Sequence, residues 1–183
     1  MLDPLILKAI SVGFGLLFLL AAIHKFSARQ QFRVILEEYQ LLPQGLVGPT
    51  ARVIPVVEMI LGGGWLFVYR PTVISVASAI LLTLYTAAIG VNLYRGRIHI
   101  GCGCSIAGSD ENDQQLSFGL IVRNCTLVAI ALIAVFPAGT RELGVLDYIT
   151  LVSVLLAGAL LYATANQLLI NGAAIGTWRD KHD

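Results

Sequence analysis

Cys102 and Cys104 are separated by one residue, Gly103, and no other spacing in this 183-residue chain carries as much chemistry. Two cysteines this close can join in a disulfide only if the backbone between them bends sharply, and glycine, free to take positive φ, permits the bend. The small ring departs from relaxed disulfide geometry, and strain makes the bond easier to reduce. Such a bond suits redox exchange better than scaffolding. Arg95, Arg97 and His99 precede the pair, and nearby positive charge lowers a thiol's pKa and favours the reactive thiolate. His99 is either an interfacial histidine or a ligand that, with two thiolates, would suit Cu(I) or zinc. A C-x-C pair alone is not a complete metal site. The bland alternative, two small apolar residues in a loop, is weakened because the loop offers little core to bury them. The third cysteine, Cys125, lies in an apolar stretch, where the usual role is a small buried hydrophobe; the alternative is a resolving thiol.

A second group of residues is set apart by its surroundings. His24 and Lys25 close one apolar stretch, Glu58 interrupts another, and Arg123-Asn124 a third. Polar groups inside membrane helices are expensive and usually functional. Glu58 and Arg123 each stand six residues beyond a polar border, Arg52 and Ser117, or about 9 Å deep at the helical rise. Matching depth predicts an ion pair between them, since a lone charge there is costly. Such a pair could glue helices together, and its arginine could also tune a thiolate above it.

These residues need elements to hold them. Hydrophobic residues make up 57% of the chain, charged residues 13%, and the mean hydropathy is +0.81. A soluble domain carries about twice that charged fraction, so the solvent is lipid. The net charge of +1 and the lack of a basic run give no sign of nucleic acid. No phosphate loop, nucleotide fingerprint or repeat is present. A bilayer core needs about 20 apolar residues in helix, and five segments qualify: 5–23, 53–69, 72–93, 118–136 and 146–170. The first lacks a small-residue cleavage site and reads as a retained helix rather than a signal peptide. Lys8, near its other end, snorkels. The expected fold is a single all-α integral membrane domain over residues 1–183.

By alternation, both long connections fall on one face of the membrane. One begins with a capping-box pattern, Ser27 to Gln30. Phe32, Ile35, Leu36 and Tyr39 then recur at helical spacing, with Arg33 and Glu37 paired opposite. Pro43 and Gly45 end it. This predicts an amphipathic helix in the membrane interface, able to roof a site beneath it. The other, 95–116, holds glycines at 96, 101, 103 and 108, the cysteine pair, and a solvated acidic tip of Asp110, Glu111 and Asp113. Gly62, Gly63 and Gly64 are expected to let the second span pack closely on a neighbour, Gly63 tightly enough that leucine would overpack it. Trp65 with Tyr69, and Tyr85 with Tyr94, read as interfacial anchors or packing residues.

With these motifs in place, the chain resembles the MauE branch of the DoxX-like membrane proteins. The first helix ends Ala-Ala-Ile-His24-Lys25-Phe26; the second carries Pro55-Val-Val-Glu58 and then the glycine triplet. Cys102-Gly103-Cys104 and Arg123-Asn124 follow in the family's order. Ser105-Ile106 replaces the usual Phe-Gly after the second cysteine, and the acidic insert is unusual. The resemblance implies a DoxX-like bundle with a redox-associated role beside a periplasmic thioredoxin-like protein. In methylamine-utilisation systems that role supports disulfide formation in methylamine dehydrogenase. It implies a multi-pass protein of the bacterial inner membrane with the cysteine loop in the periplasm, where disulfides persist. The charge rule disagrees: of the 12 Lys and Arg residues, nine fall on the cysteine face and three on the other, which taken literally makes that face cytoplasmic. Several of the nine are candidate site residues, and the periplasmic reading is kept.

Three functions therefore compete. The first is a thiol–disulfide oxidoreductase or electron conduit using Cys102 and Cys104, supported by Gly103, His24, Lys25, Glu58, Arg97, His99, Arg123 and Asn124, with room for a quinone in the bundle. The second is copper or zinc handling, and the third a non-catalytic partner of a redox complex. Homo- or hetero-oligomerisation is open in each.

Overall fold

The computed structural model describes residues 3–67, 71–97, 118–137, 139, 141 and 143–180. Cys102, Gly103, Cys104, His99, the acidic tip and Tyr69 lie outside these residues. The described residues form six helices and no strand: α1 (Pro4–Ser27), α2 (Arg29–Tyr39), α3 (Gln44–Leu66), α4 (Pro71–Tyr94), α5 (Phe118–Ile133) and α6 (Val145–Asp180). Four of them, α1, α3, α4 and the Val145–Ala165 part of α6, are long and apolar enough to cross a membrane. The described part of α5 is apolar but shorter, 16 residues, or about 24 Å at the helical rise. The chain is a multi-pass, all-α membrane protein.

Local chemistry explains most boundaries. Asp3 caps α1 by accepting the Leu5 N–H at 2.8 Å, and Pro4 occupies the first turn, where its missing N–H costs nothing. At its far end α1 runs through Ser27, so the expected capping box does not form. Ala28 is the N-cap of α2, with no side-chain cap bond. α2 is otherwise as its pattern demands: Phe32, Ile35 and Tyr39 are buried, and Arg33 Nε donates to Glu37 Oε1 at 3.0 Å on the exposed side. It stops at Gln40, which takes the left-handed conformation (φ 47°) before Pro43 is reached.

α3 starts at Gln44, nine residues earlier than its expected start at 53, and carries Pro49 and Pro55 inside the helix. Each proline removes one backbone donor, and the helix runs on regardless. α6 is likewise longer than expected, 36 residues.

Helices in lipid gain little from hydrophobic transfer and associate through close packing. α1 packs chiefly on α3, and α4 on α5. The α1–α3 contact is a glycine contact. A Cβ on Gly62 would lie 2.8 Å from Leu19 Cγ and 3.1 Å from the Gly15 carbonyl oxygen; one on Gly15 would lie 2.6 Å from Leu66 Cδ2. A Cβ on Gly64 would lie 2.6 Å from Ile74 Cδ1 of α4. Gly63 has nothing within 4 Å, so overpacking at that position does not hold. Trp65 is a core residue and not an anchor: it stacks on Phe14 at 5.3 Å, and its indole N–H donates to Ser78 Oγ at 2.9 Å. Together these contacts hold α1, α3 and α4 in a fixed relation.

Two contacts confirm the alternation of connections. Arg97, at the start of the cysteine-bearing connection, donates to Gln40 Oε1 at the end of α2 at 2.6 Å. Both long connections therefore share a face. At the opposite face Arg141 bridges Asp3 (3.5 Å) and Asp147 (2.9 Å), joining the start of α1 to the start of α6.

Candidate functional site

Lys25 lies near the end of α1, and the glycine contact between α1 and α3 brings it to Glu58. Lys25 Nζ donates to Glu58 Oε1 at 2.6 Å, and both side chains are almost wholly buried. The Tyr85 hydroxyl of α4 donates to the same oxygen at 2.7 Å. Three helices thus converge on one carboxylate oxygen. The ammonium also lies 5.5 Å from the Phe32 ring centroid and 5.4 Å from that of Tyr85, within cation–π range. Glu58, expected to pair with Arg123, makes a direct ion pair with Lys25 and lines one cavity with Arg123. The depth argument counted from Arg52, whereas α3 begins at Gln44, and it did not single out Lys25.

Arg123 is nevertheless close at hand. With Asn124 and Tyr162 it lines a cavity of about 30 Å³ whose other walls include Lys25, Glu58 and Tyr85. That is room for one water among polar partners. The Arg123 guanidinium lies 5.7 Å from the Tyr162 ring centroid and 3.4 Å from Asn124 Oδ1. Lys25, Glu58, Arg123 and Asn124 are therefore gathered round one space. His24, half-buried, lends its carbonyl to the Ala28 N–H and does not line that space. Arg97 stands at the surface on Gln40.

Two participants were not legible as such. In sequence Tyr85 reads as an anchor or packing residue, and nothing singles out Tyr162. Cys125 departs from expectation in the other direction: it is exposed, with a free thiol, and not buried. The buried face of α5 is Leu120, Asn124 and Ala131, and Cys125 stands off that stripe. No group of three or more His, Cys, Asp or Glu suited to a metal occurs among the described residues.

A second, larger cavity of about 360 Å³ lies under α2 and shares Lys25 and Tyr85 with the first. α2 does roof a space, as its amphipathic pattern allowed.

Comparison with known proteins gives a consistent answer. Residues 3–137 match the family described as methylamine utilisation protein MauE. The chain is 31% identical to the methylamine utilization protein MauE of Paracoccus denitrificans over 184 aligned positions, covering 96% of this chain and 97% of that one. It is 34% identical to the protein of the same name from Paracoccus versutus, covering 91% and 88%. Against the Methylophilus methylotrophus protein of that name the identity is 34%, over 56% and 54%. No solved structure matches the chain.

Proposed function

This chain belongs to the MauE family, and from that premise we propose that it is an inner-membrane thiol–disulfide protein exchanging electrons through Cys102 and Cys104. Its partner is a periplasmic thioredoxin-like protein, and the exchange supports disulfide formation in a redox enzyme. The names of its relatives make methylamine utilisation the setting. The cysteine connection then faces the periplasm, and the Lys and Arg residues on that face include the buried Lys25 and the half-buried Arg123, which serve the site more than they report orientation.

The observation that carries this reading is the position of the buried nest relative to the cysteine connection. That connection leaves α4 after Tyr94, its Arg97 donates to Gln40 at the C-cap of α2, and α2 covers Lys25 through Phe32. A membrane protein with no chemistry at this face has little reason to bury an ammonium and a carboxylate beneath it. Closing a disulfide from two thiols releases two protons and two electrons, and the Lys25–Glu58–Tyr85 network offers groups able to hold protons at that face.

Exchange proceeds by thiolate attack and a mixed disulfide. Of the two variants Cys102→Ser and Cys104→Ser, the one that removes the resolving thiol should therefore accumulate a covalent complex with a thioredoxin-fold protein. The adduct is read as a reductant-sensitive mass shift on a non-reducing gel and identified by mass spectrometry. Absence of any such adduct in both variants, with the protein at normal level in the membrane, would count against the proposal.

A further inference from the structure

The cavity beneath α2 has a distinct polarity. Ile35 of α2, Ile54 of α3 and Leu81, Leu84 and Ala88 of α4 supply apolar walls, Tyr39 and Thr50 also line it, and Lys25 stands beside the Tyr85 ring as its charged group. Its volume of about 360 Å³ falls in the range of small-ligand sites. An occupant must be apolar over most of its surface and must offer a hydrogen-bond acceptor at one end. Lys25 already sits on Glu58 at 2.6 Å. A fatty-acid carboxylate or lipid phosphate would therefore add a second anion to a neutral pair in a low-dielectric site, which is costly. A neutral carbonyl adds none. The rings of Phe32 and Tyr85 flank the ammonium, so the polar end also favours a flat head group.

We propose that this cavity binds the head group of a membrane quinone, with one carbonyl oxygen accepting from Lys25, while the Tyr85 hydroxyl keeps its one proton on Glu58. The binding claim stands on the cavity alone; its redox consequence rests on the thiol–disulfide function proposed above. In that step the Cys102 and Cys104 thiols give up two electrons and two protons and form an S–S bond. The quinone takes up both electrons and two protons to become the hydroquinone. The disulfide then accepts electrons from the partner's dithiol, which is oxidised in turn. Lys25 and Tyr85 touch both this cavity and the water-sized one beyond it, so protons can be relayed from the Glu58 network to the carbonyl end.

The test uses the full chain in phosphatidylcholine nanodiscs titrated with decylubiquinone, with decyl alcohol and decanoate as competitors. Saturable binding of one quinone per chain, beyond what empty discs take up, is expected, and neither competitor should displace it. Ala88→Phe or Ile54→Trp, each filling the cavity, should weaken binding at least tenfold; either is informative provided its melting temperature and elution match the parent. Undiminished binding in a folded cavity-filled variant, or displacement by decanoate at equal concentration, would overturn the site. The double variant Cys102→Ser, Cys104→Ser should still bind quinone. Hydroquinone formation by the reduced parent, absent in that variant, supports the thiol function. Binding with no hydroquinone formed would leave the site standing and remove the thiol function.

Discussion

Two ionic clusters sit at opposite faces of this bundle and differ in almost everything but composition. At the cysteine face Lys25 and Glu58 meet at 2.6 Å with side chains 2% and 1% exposed. At the other face Arg141 reaches Asp147 at 2.9 Å and Asp3 at 3.5 Å, its own side chain 52% exposed. Asp147, hydrogen-bonded to it, and then Asp3 raise the Arg141 pKa further, but water could solvate each of these charges equally well. The comparison separates the two clusters by burial, and not by the presence of opposite charges. A charged pair can fasten a turn cheaply at the surface. Inside a membrane bundle its desolvation can cost more than the attraction returns.

The largest effect should come from breaking the buried cluster. Glu58→Leu alone strands an ammonium, and Lys25→Met alone strands a carboxylate. Each should cost about 3–5 kcal/mol of stability, while the double variant should recover a substantial part. Thermal unfolding in detergent of the two singles and the double measures the coupling; strictly additive losses would mean that the two do not interact.

A smaller effect tests what brings the pair together. Gly62→Leu must displace Leu19 and the Gly15 backbone, at a cost of about 1–3 kcal/mol, and should separate Lys25 from Glu58. Gly63→Leu, where nothing lies within 4 Å, should leave the melting temperature unchanged. Equal losses at both positions would contradict the assignment of Gly62 to the tight contact.

The smallest effect belongs to the exposed cluster. Arg141→Gln should cost under about 1 kcal/mol, and less as salt is added. A loss comparable to that of Glu58→Leu would erase the distinction between the two faces.

Much of this was legible in the residues. The periodicity of Phe32, Ile35 and Tyr39 gave α2 its buried face, and the apolar stretches gave the spans. Glu58, Arg123 and Asn124 stood out because charge and amide groups are out of place in lipid. What failed depended on where helices start. Arg52, a charge before the apolar run, made the beginning of α3 look later than Gln44, and counting depth from it did not single out Lys25 as a partner of Glu58. Ser27 followed by Gln30 looked like a cap because nothing local announces that α1 continues through it. Tyr85 carries no signal of its own, since a tyrosine in an apolar helix serves as anchor, packing residue or hydrogen-bond donor according to its neighbour. Cys125 was recoverable in principle: adjacent helical residues point about 100° apart, so a buried Asn124 turns Cys125 away.

The central claim is that Cys102 and Cys104 interconvert between dithiol and disulfide, and mass-shift alkylation tests it most directly. The protein carries Cys125→Ala, so that only the pair can react, and is labelled as isolated and again after mild reductant. The account predicts no label before reduction and two labels per chain after it, with Gly103→Val weakening the oxidised form while the bundle stays folded. Two labels in both conditions, together with full function of the Cys102→Ser, Cys104→Ser variant in cells, would contradict it.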